Sequence, residues 1–211
     1  MPSLQRRRWL GGLSVSALMT IVLQPAALAQ TGTGWLLLGL GTAAERPYRS
    51  CALTLRGMPA KGGGKVAQVL HYPSEPGWGG KTWPWRTPQG QGELMLLALP
   101  AGDYELEDFE LVQQSGDTAR VDRSLRPLQV RLRIQAGAII YAGHYEALDR
   151  GAASSKQGPQ GVLVLSDRSQ TVQAQLAAED IPALRAGTLR RQLPDPALLR
   201  HPQLMHAPGE R

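Results

Sequence analysis

The sequence predicts a mainly β protein, an antiparallel β-sandwich with a short C-terminal helical appendage, and three observations carry the prediction. Past the N-terminus the apolar residues fall in short runs broken by Gly, Pro and polar residues, the rhythm of strands joined by tight turns. Leu128, Val130, Leu132 and Ile134 alternate with Gln129, Arg131 and Arg133, as in a strand with one wet face. Helical spacing emerges only late, where Val172, Leu176 and several alanines form a stripe.

The elements follow in order. Strands are expected at 34–40, 51–56, 66–72 and 94–99, the third after the flexible turn Lys61-Gly62-Gly63-Gly64-Lys65. Pro100-Ala101-Gly102-Asp103 is turn chemistry, with proline presetting φ and Gly102 tolerating a left-handed conformation. In the next strand, 104–112, Tyr104 and Leu106 share one parity while Phe109 and Leu111 share the other. That slip between Glu107 and Asp108 predicts a bulge. Two strands, 128–134 and 138–147, flank a turn at Gln135-Ala136-Gly137, and a last strand is expected at 162–165. Ser169 is the expected N-cap of a helix reaching about residue 180, and Pro182 the start of a second. Pro196, Pro202 and Pro208 mark 194–211 as a flexible tail. The domain reading is a leader at 1–29, a sandwich at 30–168, a helical appendage at 169–193 and that tail.

The leader is an export signal. Arg6, Arg7 and Arg8 precede an uncharged apolar run from Leu10 to Leu23, Pro25 breaks it, and Ala27-Leu28-Ala29 supplies the cleavage pattern, with the cut after Ala29. The run is shorter than the ~20 residues that span a bilayer, and no later segment is long and apolar enough to try. Arg6-Arg7-Arg8-Trp9-Leu10 is similar to a twin-arginine signal and equally serves the general secretory route, so both stay open. A periplasmic or secreted location follows.

The chain has 23 basic and 17 acidic side chains. Three arginines and no acids leave with the leader, so 20 face 17 and the net charge is +3. So small a charge points away from nucleic acid. Cys51 stands alone in an apolar strand, so burial is expected rather than an internal disulfide.

Leu99-Pro100-Ala101-Gly102-Asp103-Tyr104, followed by Ile134-Gln135-Ala136-Gly137-Ala138-Ile139-Ile140-Tyr141-Ala142-Gly143, resembles paired hairpins of small bacterial envelope proteins, many of them lipoproteins. Those families are similar to transthyretin-like and carboxypeptidase-regulatory sandwich modules. The resemblance spans 94–146 and implies a sandwich with no catalytic residues. This chain lacks their lipoprotein cysteine, so it does not imply tethering.

Chemistry-bearing patterns are sparse. His71 and His144 lie in expected strands and would need neighbouring strands to share a ligand with Glu146; a zinc site wants three or four ligands, so no metal or cofactor is expected. His201 and His206 fall in the tail. No Gly-x-Ser-x-Gly elbow follows the leader. Gly62-Gly63-Gly64-Lys65 lacks the spacing of a phosphate loop, and the acids Asp103, Glu105, Glu107, Asp108 and Glu110 read as a solvated strand face. The unusual segment is 76–86, read as a long loop holding Trp78, Trp83 and Trp85 with Lys81 and Arg86. Indole rings there either present a platform for sugars, cations or anionic groups, or fold back to plug the sandwich. The expected function is a non-catalytic binding or interaction module using these five residues, with another envelope protein or a cell-wall glycan as partner. The alternatives are a hydrolase assembled from distant residues and a structural subunit pairing through an edge strand.

Overall fold

A computed structural model describes residues 32–58, 67–151, 159–179, 189–195 and 200–207. The leader with Ala29, the Gly62–Lys65 turn and the helix expected at Pro182 lie outside the described residues. Among the described residues the protein is mainly β, with two sheets and one helix. In chain order the strands are β1 (Thr33–Ala43), β2 (Ser50–Met58), β3 (Ala67–Tyr72), β4 (Lys81–Arg86), β5 (Gly90–Pro100), β6 (Gly102–Ser115), β7 (Thr118–Arg123), β8 (Val130–Ile134), β9 (Ile139–Asp149) and β10 (Gly161–Ser166). Helix α1 (Ser169–Ala177) follows, then β11 (Leu189–Arg191) and β12 (Leu204–His206).

One sheet has the order β12-β10-β9-β1-β5-β4, with β11 also pairing β9; the other runs β3-β2-β6-β7, with β8 on β6. The sheets are not purely antiparallel, because β1 runs parallel to β9, as do β11 to β9 and β12 to β10. Between the sheets lies the main core, where Leu36, Leu38 and Leu40 of β1 face Leu53, Phe109 and Leu106. Cys51 is buried among them. On the outer face of the seven-stranded sheet, Val172 and Leu176 of α1 cover Leu37, Leu94, Leu96, Ile139 and Tyr141. Central β1 is therefore buried on both faces, which is why it reads as a nearly unbroken apolar run.

Two bulges set side-chain direction. In β6 the partner of Thr54 is Asp108 and that of Leu55 is Leu106, so Glu107 is the extra residue where the alternation predicted a slip. In β9 the partner of Leu37 is Tyr141 but that of Gly39 is His144, with one added residue and Gly143 at φ 100°. This second bulge was not expected.

Four further expectations are corrected. The 76–86 loop is in part strand: Lys81–Arg86 is β4, an edge where Pro84 is tolerated. The 194–211 tail contains β12, seated beside β10 by Gln203. Gly102 does not adopt a left-handed φ; Gly116 and Gly137 do, at 57° and 70°. Arg168 rather than Ser169 is the helix N-cap, its carbonyl accepting the Val172 N–H at 2.9 Å, while the Ser169 N–H is donated to the Asp167 side chain at 3.0 Å. The acidic residues of β6 face outward as expected, against Arg56, Arg123 and Arg133.

Candidate functional site

The outer face of the seven-stranded sheet carries the site, and glycine builds its floor. β1 reads Leu-Gly-Leu-Gly, which puts leucines into the inner core and Gly39 and Gly41 on the outer face. A Cβ at Gly39 would lie 2.1 Å from the His144 ring. At Gly41 and Gly92 it would lie 2.7 and 2.5 Å from Cζ2 of Trp85. The missing side chains thus form a tray in which these two rings sit, edge to face, 5.7 Å apart.

The β9 bulge completes the arrangement. Residues three apart on a regular strand point to opposite faces, yet the added residue puts Tyr141 and His144 on the same face. Tyr141 Oη lies 2.8 Å from His144 Nδ1 and accepts the Arg168 backbone N–H at 2.9 Å. The Arg168 guanidinium lies 4.8 Å over the Trp85 ring and forms an ion pair with Glu146. A second pair, Arg191 to Asp167 at 2.7 Å, holds the start of α1 against β11.

These elements bound an open groove of about 590 Å³. Ala43, Leu148, Val164, Val172 and Ala207 make its walls apolar, while Arg86, Thr87, Gln89, Thr171 and Gln175 contribute polar groups. Its size lies within the usual range for small-molecule sites, roughly 300–1,000 Å³. Trp85 Nε1 and the Ser166 hydroxyl are buried beside it without a hydrogen-bond partner among the described residues. Such groups cost free energy until something satisfies them.

Burial, aided by the Arg168 charge and opposed by Asp167, lowers the His144 pKa to about 3. Burial raises that of Glu146, against the attraction and hydrogen bond of Arg168. Because the folded-state pKa of His144 lies below the unfolded value of about 6.5, folding favours the neutral ring. That stability is full above about 6.5 and is lost as pH falls toward 3. Glu146, whose pKa is raised, acts in the opposite sense over its own window. Thermal melting between pH 7 and pH 4 should therefore fall more steeply in the wild type than in His144→Asn, where Glu146 is common to both.

Of the expected site residues, Trp83 and Trp85 pack half-buried on this outer face beside α1, and Arg86 reaches the groove. Lys81 is exposed on β4, while Trp78 packs against the inner core. The three tryptophans therefore form no single platform. His71 lies on the other sheet, apart from His144. His201 is buried, with Nε2 2.9 Å from the Arg126 carbonyl. Among the described residues no group of three or more His, Cys, Asp or Glu could hold a metal. The residues missed from sequence were Tyr141, Ser166 and Arg168; the Leu-Gly-Leu-Gly alternation was the one available signal.

No protein-family model and no curated protein matches the chain. Among solved structures it is similar to a leucine-rich repeat protein from Bacteroides thetaiotaomicron VPI-5482, at 12% identity and a TM-score of 0.33. That match covers 54% of this chain and 14% of the other, and carries no argument about fold or function.

Proposed function

We propose that this is an exported, periplasmic, non-catalytic binding module, related to the small envelope sandwich families, whose binding surface is the groove beside Trp85. The carrying observation is that groove, with apolar walls and two buried polar groups that have no hydrogen-bond partner among the described residues. A cell-wall glycan fragment or a segment of another envelope protein is the partner class proposed for it. Among the described residues no helix is long and apolar enough to cross a membrane.

A hydrolase reading has one observation in its favour, since His144, Glu146 and Ser166 line the same groove. Four others weigh against it. Among the described residues the Ser166 hydroxyl bonds to no base, His144 Nδ1 is engaged by Tyr141, and Glu146 is held by Arg168. Neutral His144, with its low pKa, is a poor proton acceptor at pH 7.

The test is thermal melting of the exported protein with fractionated envelope extract and soluble cell-wall fragments. A ligand at 100 times its Kd stabilises by about 2.7 kcal/mol, or roughly 5–10 °C for a domain of this size. Val164→Phe, which fills the groove, should abolish the shift. If no fraction raises the melting temperature, or the variant responds equally, the reading fails.

A further inference from the structure

Sheet edges present unpaired backbone groups, and proteins blunt them with charge, proline, bulges or brevity. Among the described residues all but one edge is blunted in this way. β4 carries Lys81, Pro84 and Arg86, and β12 is three residues long. β7 carries Arg120, Asp122 and Arg123, and β8 has Arg131 and Arg133 in five residues. β3 is the exception. Its six residues, Ala-Gln-Val-Leu-His-Tyr, include no acid, lysine, arginine or proline. Its register with β2 runs unbroken from Ala67 to Tyr72, and Val69 is 45% exposed on its outer face.

We propose that β3 is a dimerisation edge, pairing antiparallel with β3 of a second copy of this chain. The two five-stranded sheets then join across a two-fold axis. A self-complementary contact of this kind closes at two subunits, because both copies spend the same edge and the remaining described edges are blunted.

The second copy is the favoured occupant because of charge. Self-pairing any charged edge brings like charges near one another, which destabilises a pair, whereas self-pairing β3 brings together no acid, lysine or arginine. Beside it on β2, Ala52 and Thr54 are also uncharged, and Arg56 is held by Glu107 at 2.6 Å. Side-chain parity narrows the register further. Leu70 faces the inner core while Val69 faces out, and opposed residues in an antiparallel pair share a face. Two central registers remain: Val69 opposite the second copy's Val69, or Val69 opposite its His71. In both, the exposed valine is covered. This contact lies on the sheet away from the groove and is independent of the binding proposal.

Sedimentation equilibrium of the exported protein tests it. The wild type should approach twice the chain mass as concentration rises, and Val69→Lys should remain at a single chain mass. Val121→Lys is the control, since Val121 is 46% exposed on β7; it should dimerise like the wild type. A second readout is independent of the lysine variant. Under mild oxidation, Val69→Cys alone, or mixed with His71→Cys, should form a disulfide-linked dimer, with buried Cys51 unreactive. A wild type that stays at one chain mass, equal loss of dimer in both lysine variants, or no cross-link in either register would overturn the proposal.

Discussion

Gly41→Ala should destabilise the fold severely, whereas the damage from Gly39→Ala should disappear once His144 is also alanine. The two glycines are neighbours on the same face of β1, but their obstacles differ. A Cβ at Gly41 would lie 2.2 Å from the Gln91 carbonyl oxygen and 2.7 Å from Gly92 Cα, both backbone atoms of a paired strand. No rotamer change relieves that contact, so β1 and β5 must separate, at a cost of about 3 kcal/mol or more. At Gly39 the nearest three atoms, at 2.1, 2.5 and 2.6 Å, all belong to the His144 ring. Removing the ring removes all three of these contacts. A double-mutant cycle by urea denaturation should give a coupling of about 1–3 kcal/mol between Gly39→Ala and His144→Ala, with the double variant no less stable than His144→Ala. Equal costs for the two glycine variants, or no coupling, would refute the tray.

Gln203→Leu should be the other severe substitution. Gln203 is 1% exposed, and its side chain joins three distant segments. Its Oε1 accepts the Leu125 N–H at 2.7 Å, while Nε2 donates to the carbonyls of Arg123 and Gly161 at 3.1 and 3.0 Å. Leucine keeps the approximate volume but leaves one buried donor and two acceptors without that partner, at about 1–3 kcal/mol each. The total is capped by the free energy of releasing the 200–207 segment as a unit. Urea denaturation should therefore show a loss of about 3 kcal/mol, or limited proteolysis should show selective cleavage near β12. Wild-type stability together with an uncut segment would rule out this role.

Gln203 also shows where sequence reading fails. Its surroundings are rich in proline and histidine, so a local reading expects a tail. Yet a single amide, matched to backbone groups of residues 123, 125 and 161, seats that segment in the sheet. β4 was hidden similarly: Lys-Thr-Trp-Pro-Trp-Arg has weak alternation and a proline, and becomes a strand by pairing with β5. For Trp85 the sequence left an exposed platform and a ring folded back on the sandwich both open, because its seat, made by Gly41 and Gly92, is on other strands.

The mainly β class, most strand positions, the β6 bulge, the burial of Cys51 and the buried stripe of α1 are all legible in the order of the residues. Each is written in periodicity or composition within one segment, where alternation reports the face a residue presents. The parallel β1–β9 pairing, the β9 bulge that turns Tyr141 and His144 onto one face, and the ordered segment around Gln203 emerge only from the folded arrangement. These depend on which remote strand supplies the partner backbone and where the register slips. Pairing is a property of two segments together, and neither one alone encodes it.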